Sequence, residues 1–143
     1  MSSKINAGLL LYRYQKEELE VYLVPSTNND WQVPESATVE STETLEVVRH
    51  HFEALTGLRL NKEDMISLDL VECMKTGKQF MAYALETDWE KLPPNSKRRR
   101  LLTANKGAYL AMKDAFKKVM PAQYALLKEL QEVLSVRNLI RYL

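Results

Sequence analysis

The chain has 143 residues, enough for one domain with a sizeable hydrophobic core. Lys and Arg number 20 against 19 Asp and Glu, so no global field attracts nucleic acid or an anionic membrane. One cysteine, Cys73, excludes an internal disulfide framework and favours a reducing cytoplasm. The N-terminal MSSKINAG lacks the shape of a signal peptide, and no apolar run reaches the ~18 residues of a membrane span.

The chain begins with a pattern that predicts two strands. Residues 5–14 form a nearly continuous apolar run, typical of a strand buried on both faces. Residues 16–18 predict a polar hairpin turn, and residues 19–24 alternate as a second strand does. Residues 26–30 have the composition of a loop, and residues 31–33 predict a short strand.

Residues 43–55 predict the clearest helix of the chain. Four apolar side chains recur there at helical spacing: Leu45, Val48, Phe52 and Leu55. Thr42 can cap the first turn, and Gly57 can end the helix. Two further strands are predicted at residues 66–72 and 79–85, joined by a turn at residues 75–78.

The C-terminal third predicts a loop and two helices. Residues 88–105 contain Pro93-Pro94 and predict a long exposed loop. Residues 107–120 predict a helix with one apolar face, made of Tyr109, Met112, Phe116 and Val119. Pro121 starts another helix. Four of its side chains are expected to point inward: Tyr124, Leu127, Leu130 and Leu134. The order β-β-α-β-β-α-α predicts an α/β fold with a mixed sheet between helices.

Residues 34–58, PESATVESTETLEVVRHHFEALTGL, have the frame of a catalytic motif. They resemble the Nudix box of the MutT/Nudix hydrolases, G-x5-E-x7-R-E-U-x-E-E-x-G-U, where U is a bulky aliphatic or aromatic residue. With Gly57 as the anchor, three of nine specified positions match: Phe52, Gly57 and Leu58. The others depart from the pattern: Ser36 replaces glycine, Thr42 replaces glutamate, His50-His51 replace Arg-Glu, and Ala54-Leu55 replace Glu-Glu.

The flanking sequence extends the resemblance over nearly the whole chain. Residues 5–13 and 19–24 are similar to the first two strands of Nudix proteins, and residues 31–34, WQVP, to the approach to the box. Residues 106–141 resemble a helical extension of one bacterial Nudix branch. The resemblance implies a Nudix-type α/β/α sandwich. It also implies one domain over residues 1–143, with residues 106–143 as a docked helical extension.

The resemblance further implies metal-dependent cleavage of nucleoside diphosphate compounds, which needs a carboxylate cluster. Box positions 51, 54 and 55 lie on one helix face and would carry those carboxylates. Here they are His51, Ala54 and Leu55, so that face has no carboxylate. Ala and Leu cannot bind a metal, and His is a nitrogen ligand better suited to zinc or copper. We therefore expect no cofactor, or Mg or Mn if the box nevertheless works.

Several residues keep more than one interpretation. His51 is the candidate catalytic residue, as a general base or as a metal ligand completed by Glu40 or Glu43; a half-buried structural histidine is the simpler reading. The candidate ligand-binding residues are Arg13, Trp31, Ser36, Glu40 and His50. Trp31 could stack on a base or fill the core, and the basic run 97–100 could contact phosphate or be a solvated loop.

These observations favour a Nudix-fold protein with a degraded box, inactive as a hydrolase and binding a nucleotide-like ligand or acting in regulation. The alternative is a divalent-metal-dependent Nudix hydrolase that uses non-standard residues. A third interpretation is an oligomer-forming module built on the amphipathic tail. The expected partner is a small nucleotide-like ligand, without membrane association and without a strong case for nucleic acid.

Overall fold

The computed structural model describes residues 4–26, 29–40, 44–56, 61–68, 71–72, 77, 79–87 and 107–141. The strands are β1 (Lys4–Gln15), β2 (Glu18–Pro25), β3 (Trp31–Gln32), β4 (Glu35–Glu40), β5 (Met65–Ser67), β6 (Val71–Glu72), β7 (Gln79–Glu86) and β8 (Ala108–Ala111). The helices are α1 (Thr44–Thr56), α2 (Met112–Lys118) and α3 (Tyr124–Arg141), with 3-10 turns at Lys62–Asp64 and Pro121–Gln123.

The long strand β1 organises a mixed sheet. It runs parallel to β7 along one edge. Along its other edge, β4 pairs with its first half and β2 with its second half, both antiparallel. The sheet continues outward to β3 and β8 from β2, and to β5 and β6 from β7. The predicted mixed sheet is therefore confirmed, and β1 lies at its centre.

Alternation along the strands divides the core between the two faces of the sheet. One face packs against α2 and α3; its strand residues are Leu10, Tyr12, Val21, Leu23, Ile66, Phe80, Ala82 and Ala84. The other face packs against Val48 of α1; its strand residues are Ala7, Leu9, Leu11, Tyr22, Val24, Met65, Tyr83 and Leu85. We call these the α3 face and the α1 face. Helices on both faces make the α/β/α sandwich that the sequence predicted.

Several predicted elements are confirmed within one or two residues. They are β1, β2, β3, α1 and β7, while the helix predicted to start at Pro121 is a 3-10 turn at Pro121–Gln123 followed by α3. The β1–β2 turn consists of Lys16 and Glu17, whose φ angles of 51° and 68° are both positive. Two positive φ angles are typical of the tight two-residue hairpin turns that match strand twist. This turn pairs Gln15 with Glu18 and so fixes the register of the hairpin.

The helix predicted over residues 107–120 is wrong in its first part. Residues 108–111 form β8, which pairs antiparallel with β2, and α2 begins only at Met112. Ala, Leu and Met favour helix locally, but pairing with the edge of β2 satisfies a row of backbone groups and overrides that preference. The inward position predicted for Tyr124 is also wrong, because its side chain is exposed; its ring lies tilted against that of Phe116, with the centres 5.0 Å apart.

One strand was not predicted, and one prediction differs in extent. Strand β4 over Glu35–Glu40 has no counterpart among the predicted elements. In place of the single strand predicted over residues 66–72, the structure has two short strands, β5 and β6. The described residues do not include Thr42, Gly57, Cys73 or residues 88–105, which contain the basic run at 97–100. Where the chain is described, none of its helices has the length and apolar character needed to span a membrane.

Candidate functional site

The box region forms a strand and a helix stacked on the α1 face. β4 pairs with the first half of β1, and α1 packs on β4, β1 and β7. Leu45 and Val47 pack beside Val48 against the α1 face, which fixes the direction in which the helix presents its other sides. The helix that would carry the catalytic carboxylates in an active relative is therefore present.

Ser36 lies where the pairing between β4 and β1 becomes irregular. Ala7 pairs with Ala37, but Gly8 pairs with Glu35, so Ser36 is the extra residue of a β-bulge. A bulge bends the strand and changes the direction of the following residues. The position of the box glycine therefore coincides with the bend at which β4 departs from regular pairing. Glu40, at the end of β4, is opposite Lys4.

The described polar residues of α1 lie mostly on its outer side. At 100° per residue, Glu46 and Glu53 fall within about 40° of the direction opposite the buried Val48. The Arg49 guanidinium contacts the Glu46 carboxylate at 2.6 Å, and His50 is exposed. The backbone places His51, Ala54 and Leu55 on α1, but their side chains lie outside the described part. Their chemistry does not fit a magnesium site, since two of the three have no donor atom.

Arg13 lies at the opposite end of β1, on the same face of the sheet. Its Nε donates to the Glu20 carboxylate at 2.7 Å, across the β1–β2 hairpin. Its guanidinium carbon lies 3.9 Å from the centre of the Tyr109 ring. Arg13 is buried, so the ion pair and the aromatic ring replace much of the water that its charge would otherwise hold.

Tyr109 connects the ion pair of Arg13 and Glu20 to β2 and to the end of β7. It pairs with Tyr22 across β2 and β8, with ring centres 5.4 Å apart. Its hydroxyl donates to the carbonyl of Thr87, just after β7. Burial raises the pKa of Tyr22 above its ordinary value, and a backbone hydrogen bond with Gly107 offsets part of that rise. We call Arg13, Glu20, Tyr22 and Tyr109 the arginine–tyrosine cluster.

The structure brings some of the candidate residues together and separates others. Ser36, Glu40 and His50 belong to the strand and helix of the box region. Arg13 lies five positions after Gly8 along β1, roughly 16 Å away at about 3.3 Å per residue. Trp31 lies apart from both, because it is half-buried against the cluster on the α3 face. Of its two interpretations, the packing favours core filling.

Sequence reasoning did not identify Glu20 or Tyr109. A two-residue turn at Lys16 and Glu17 places Arg13 opposite Glu20, so the hairpin itself contained the signal for the ion pair. Tyr109 could not be found in this way, because its segment was predicted as helix. Among the residues described, no group of three or more His, Cys, Asp or Glu side chains is placed to hold a metal ion.

Comparison with known proteins gives matches at the level of structure. No family model matches the sequence, and no curated protein matches it. A mutT/nudix family protein from Listeria innocua superposes with a TM-score of 0.68 at 15% identity, with 97% of each chain covered. The C. elegans Ap4A hydrolase gives a TM-score of 0.58 at 16% identity, covering 90% of this chain and 96% of that one.

A third neighbour was solved with a ligand. The NUDIX domain of Shewanella oneidensis NrtR, complexed with ADP ribose, gives a TM-score of 0.59 at 12% identity. The match covers 94% of this chain and 90% of that chain. Identities this low establish the fold and leave the activity open. Three neighbours, each matched over 90% or more of both chains, show that this chain has the Nudix fold.

Proposed function

We propose that this protein binds a nucleotide-like ligand on the α1 face and does not hydrolyse it at the rate of an intact Nudix enzyme. One observation carries the proposal: the helix is in place, but positions 51, 54 and 55 are His, Ala and Leu. A hydrolase of this fold without those carboxylates lacks the charge that offsets the dehydration of a magnesium ion.

The missing groups matter because they supply most of the catalytic effect. Enzymes lower barriers by about 8–23 kcal/mol, and in metal-assisted phosphate chemistry much of this comes from the ion and the base. Positioning alone leaves little to drive water onto phosphorus. We therefore infer that any hydrolysis is at least ~10³-fold slower than in a member with a complete box.

Ligand binding is supported by different observations. The α1 face carries the box strand and helix at one end of β1 and the arginine–tyrosine cluster at the other. The exposed His50 and the backbone at the bulge can contact phosphate, while the buried Arg13, paired with Glu20, fixes the far end of β1. The Shewanella NUDIX domain with ADP ribose bound makes that compound a reasonable probe.

The experiment measures binding and turnover on the same sample. We expect ADP ribose to bind saturably in calorimetry without added metal, and phosphorus NMR to show the compound unchanged after incubation with Mg²⁺, Mn²⁺ or Zn²⁺. His50→Ala should weaken binding, whereas Lys128→Ala, an exposed position on α3, should not. No binding of ADP ribose or of other nucleoside diphosphate compounds would overturn the proposal.

The alternative hydrolase has its own outcome. Turnover of a nucleoside diphosphate compound at ordinary rates, abolished by His51→Ala, would make that histidine a working catalytic residue and Mg or Mn its cofactor.

The single cysteine favours a reducing compartment, so the proposal includes a cytoplasmic location.

A further inference from the structure

We propose that Gln123 is a positioning residue that holds the segment leading into β4 and the box. Its side-chain oxygen accepts a hydrogen bond from the backbone N–H of Val33 at 2.8 Å. The two residues are 90 positions apart in the chain, and both are buried. Because the Val33 N–H can only donate, the oxygen of the Gln123 amide must be the atom that faces it.

The reason for this bond lies in the neighbouring backbone. Trp31 forms a parallel bridge with Val119, and the N–H of Met120 donates to the Trp31 carbonyl at 2.8 Å. A parallel ladder continued by one step would place the Val33 N–H on the carbonyl of Met120. That carbonyl instead accepts the backbone N–H of Gln123 at 2.9 Å, because the chain turns at Pro121.

The Gln123 side chain therefore takes the place of the missing backbone acceptor. Without it, the N–H of a residue with no solvent exposure would lack a partner at this position. The same segment is fixed from the other side, since the Leu9 N–H donates to the Pro34 carbonyl at 3.2 Å. Val33 and Pro34 are thus held between the C-terminal segment and β1.

This double attachment precedes the bulge directly. Glu35 pairs with Gly8, and Ser36 is the bulged residue, so the position at which Val33 and Pro34 are held determines where β4 begins. β4 in turn supports α1. Gln123 thereby connects the C-terminal segment to the box strand, and its loss should loosen β4 more than the rest of the sheet. The inference does not depend on which ligand binds.

The test compares three variants of the full chain by amide hydrogen exchange. Gln123→Met keeps the length and removes the acceptor, and Gln123→Glu keeps an oxygen in the same place. Leu130→Ala serves as the matched control, because it destabilises α3, the helix that follows Gln123, and leaves Gln123 intact. We expect Gln123→Met to speed amide exchange at Val33 and along β4. The factor of increase there should exceed the factor along β7 by about tenfold or more.

The variants separate positioning from general stability. Leu130→Ala should raise exchange evenly, and Gln123→Glu should restore protection at Val33, most fully at low pH where its buried carboxyl is neutral. The proposal is overturned if Gln123→Met accelerates β4 and β7 equally, or if Val33 exchanges as slowly in Gln123→Met as in the unchanged protein. It is equally overturned if Gln123→Glu fails to restore protection at Val33 while remaining folded.

Discussion

At the scale of single residues, Arg13 and Glu20 form a largely buried ion pair across the β1–β2 hairpin. Its two side chains are 9% and 19% exposed, so removing one partner leaves a poorly hydrated charge. We expect Arg13→Met to lower the free energy of unfolding by about 2–4 kcal/mol, measured by urea denaturation. The cation–π contact with Tyr109 adds to this loss.

A double-mutant cycle distinguishes the pair from its packing. The Arg13→Met/Glu20→Gln variant removes the unpaired carboxylate and should recover part of the loss. A double variant whose cost equals the sum of the two single costs would show that Arg13 contributes only by packing. If Arg13→Met retains full stability but loses affinity for ADP ribose, the residue acts in the ligand site instead.

The raised pKa of Tyr22 predicts how the free energy of unfolding changes at alkaline pH. Burial raises its pKa in the folded protein above the ordinary value near 10, so the unfolded chain loses this proton first. The associated stability is fully present below about pH 10 and is lost as pH rises through the folded-state pKa. We expect Tyr22→Phe to flatten the fall in unfolding free energy between about pH 9 and pH 11. An unchanged slope in Tyr22→Phe would show that Tyr22 does not cause this loss of stability.

At the scale of elements, β8 shows where local sequence information ends. Residues 108–120 contain good helix formers at helical spacing, yet the first four pair with β2. That pairing is set by residues nearly ninety positions earlier, so no window of local sequence contains it. β1, β2, α1 and β7 were predictable because their own apolar periodicity agrees with their final environment.

The candidate site likewise has one part that local sequence predicts and another part that it does not. The place of the box helix could be predicted, because its apolar periodicity lies within one window of sequence. The bulge at Ser36 could not, because it depends on the register between β4 and β1. The association of Tyr109 with Arg13 likewise requires knowing that β8 is a strand.

The C-terminal helix provides the prediction at this scale. We propose that residues 106–143 act as a docked extension of one domain, because Leu127, Leu130 and Leu134 belong to the core on the α3 face. Leu130→Ala should lower the free energy of unfolding by about 3–5 kcal/mol through lost burial and a cavity. Val136→Ala, at an exposed position on the same helix, should change it by less than about 0.5 kcal/mol.

Two results would contradict this docking. A Leu130→Ala variant with unchanged denaturation would indicate a tail that does not contribute to the core. Two separate unfolding transitions, one for the helix and one for the sheet, would indicate independent units instead of one cooperative domain.

At the scale of the whole molecule, fold and chemistry have separate determinants. The sheet, the helices on both faces and the box helix itself rest on apolar side chains. The Nudix reaction would instead rest on a few positions of α1 that carry carboxylates in a complete box. A chain can therefore keep the complete sandwich with or without the carboxylates of the box, which is why the fold alone leaves the activity open.

This separation predicts that metal binding can be rebuilt on the existing scaffold. The variant restores five box positions: Thr42→Glu, His50→Arg, His51→Glu, Ala54→Glu and Leu55→Glu. We expect calorimetry with Mg²⁺ and Mn²⁺ to be silent for the unchanged protein and to show a saturable site in the variant, since clustered carboxylates offset ion dehydration. Gln131→Glu/Ser135→Glu, which adds charge on exposed positions of α3, should bind no metal. A folded five-position variant that fails to bind would show that the scaffold around α1 no longer supports a metal site. Strong Mg²⁺ binding by the unchanged protein would show that ligands outside the box helix compensate for the replaced glutamates.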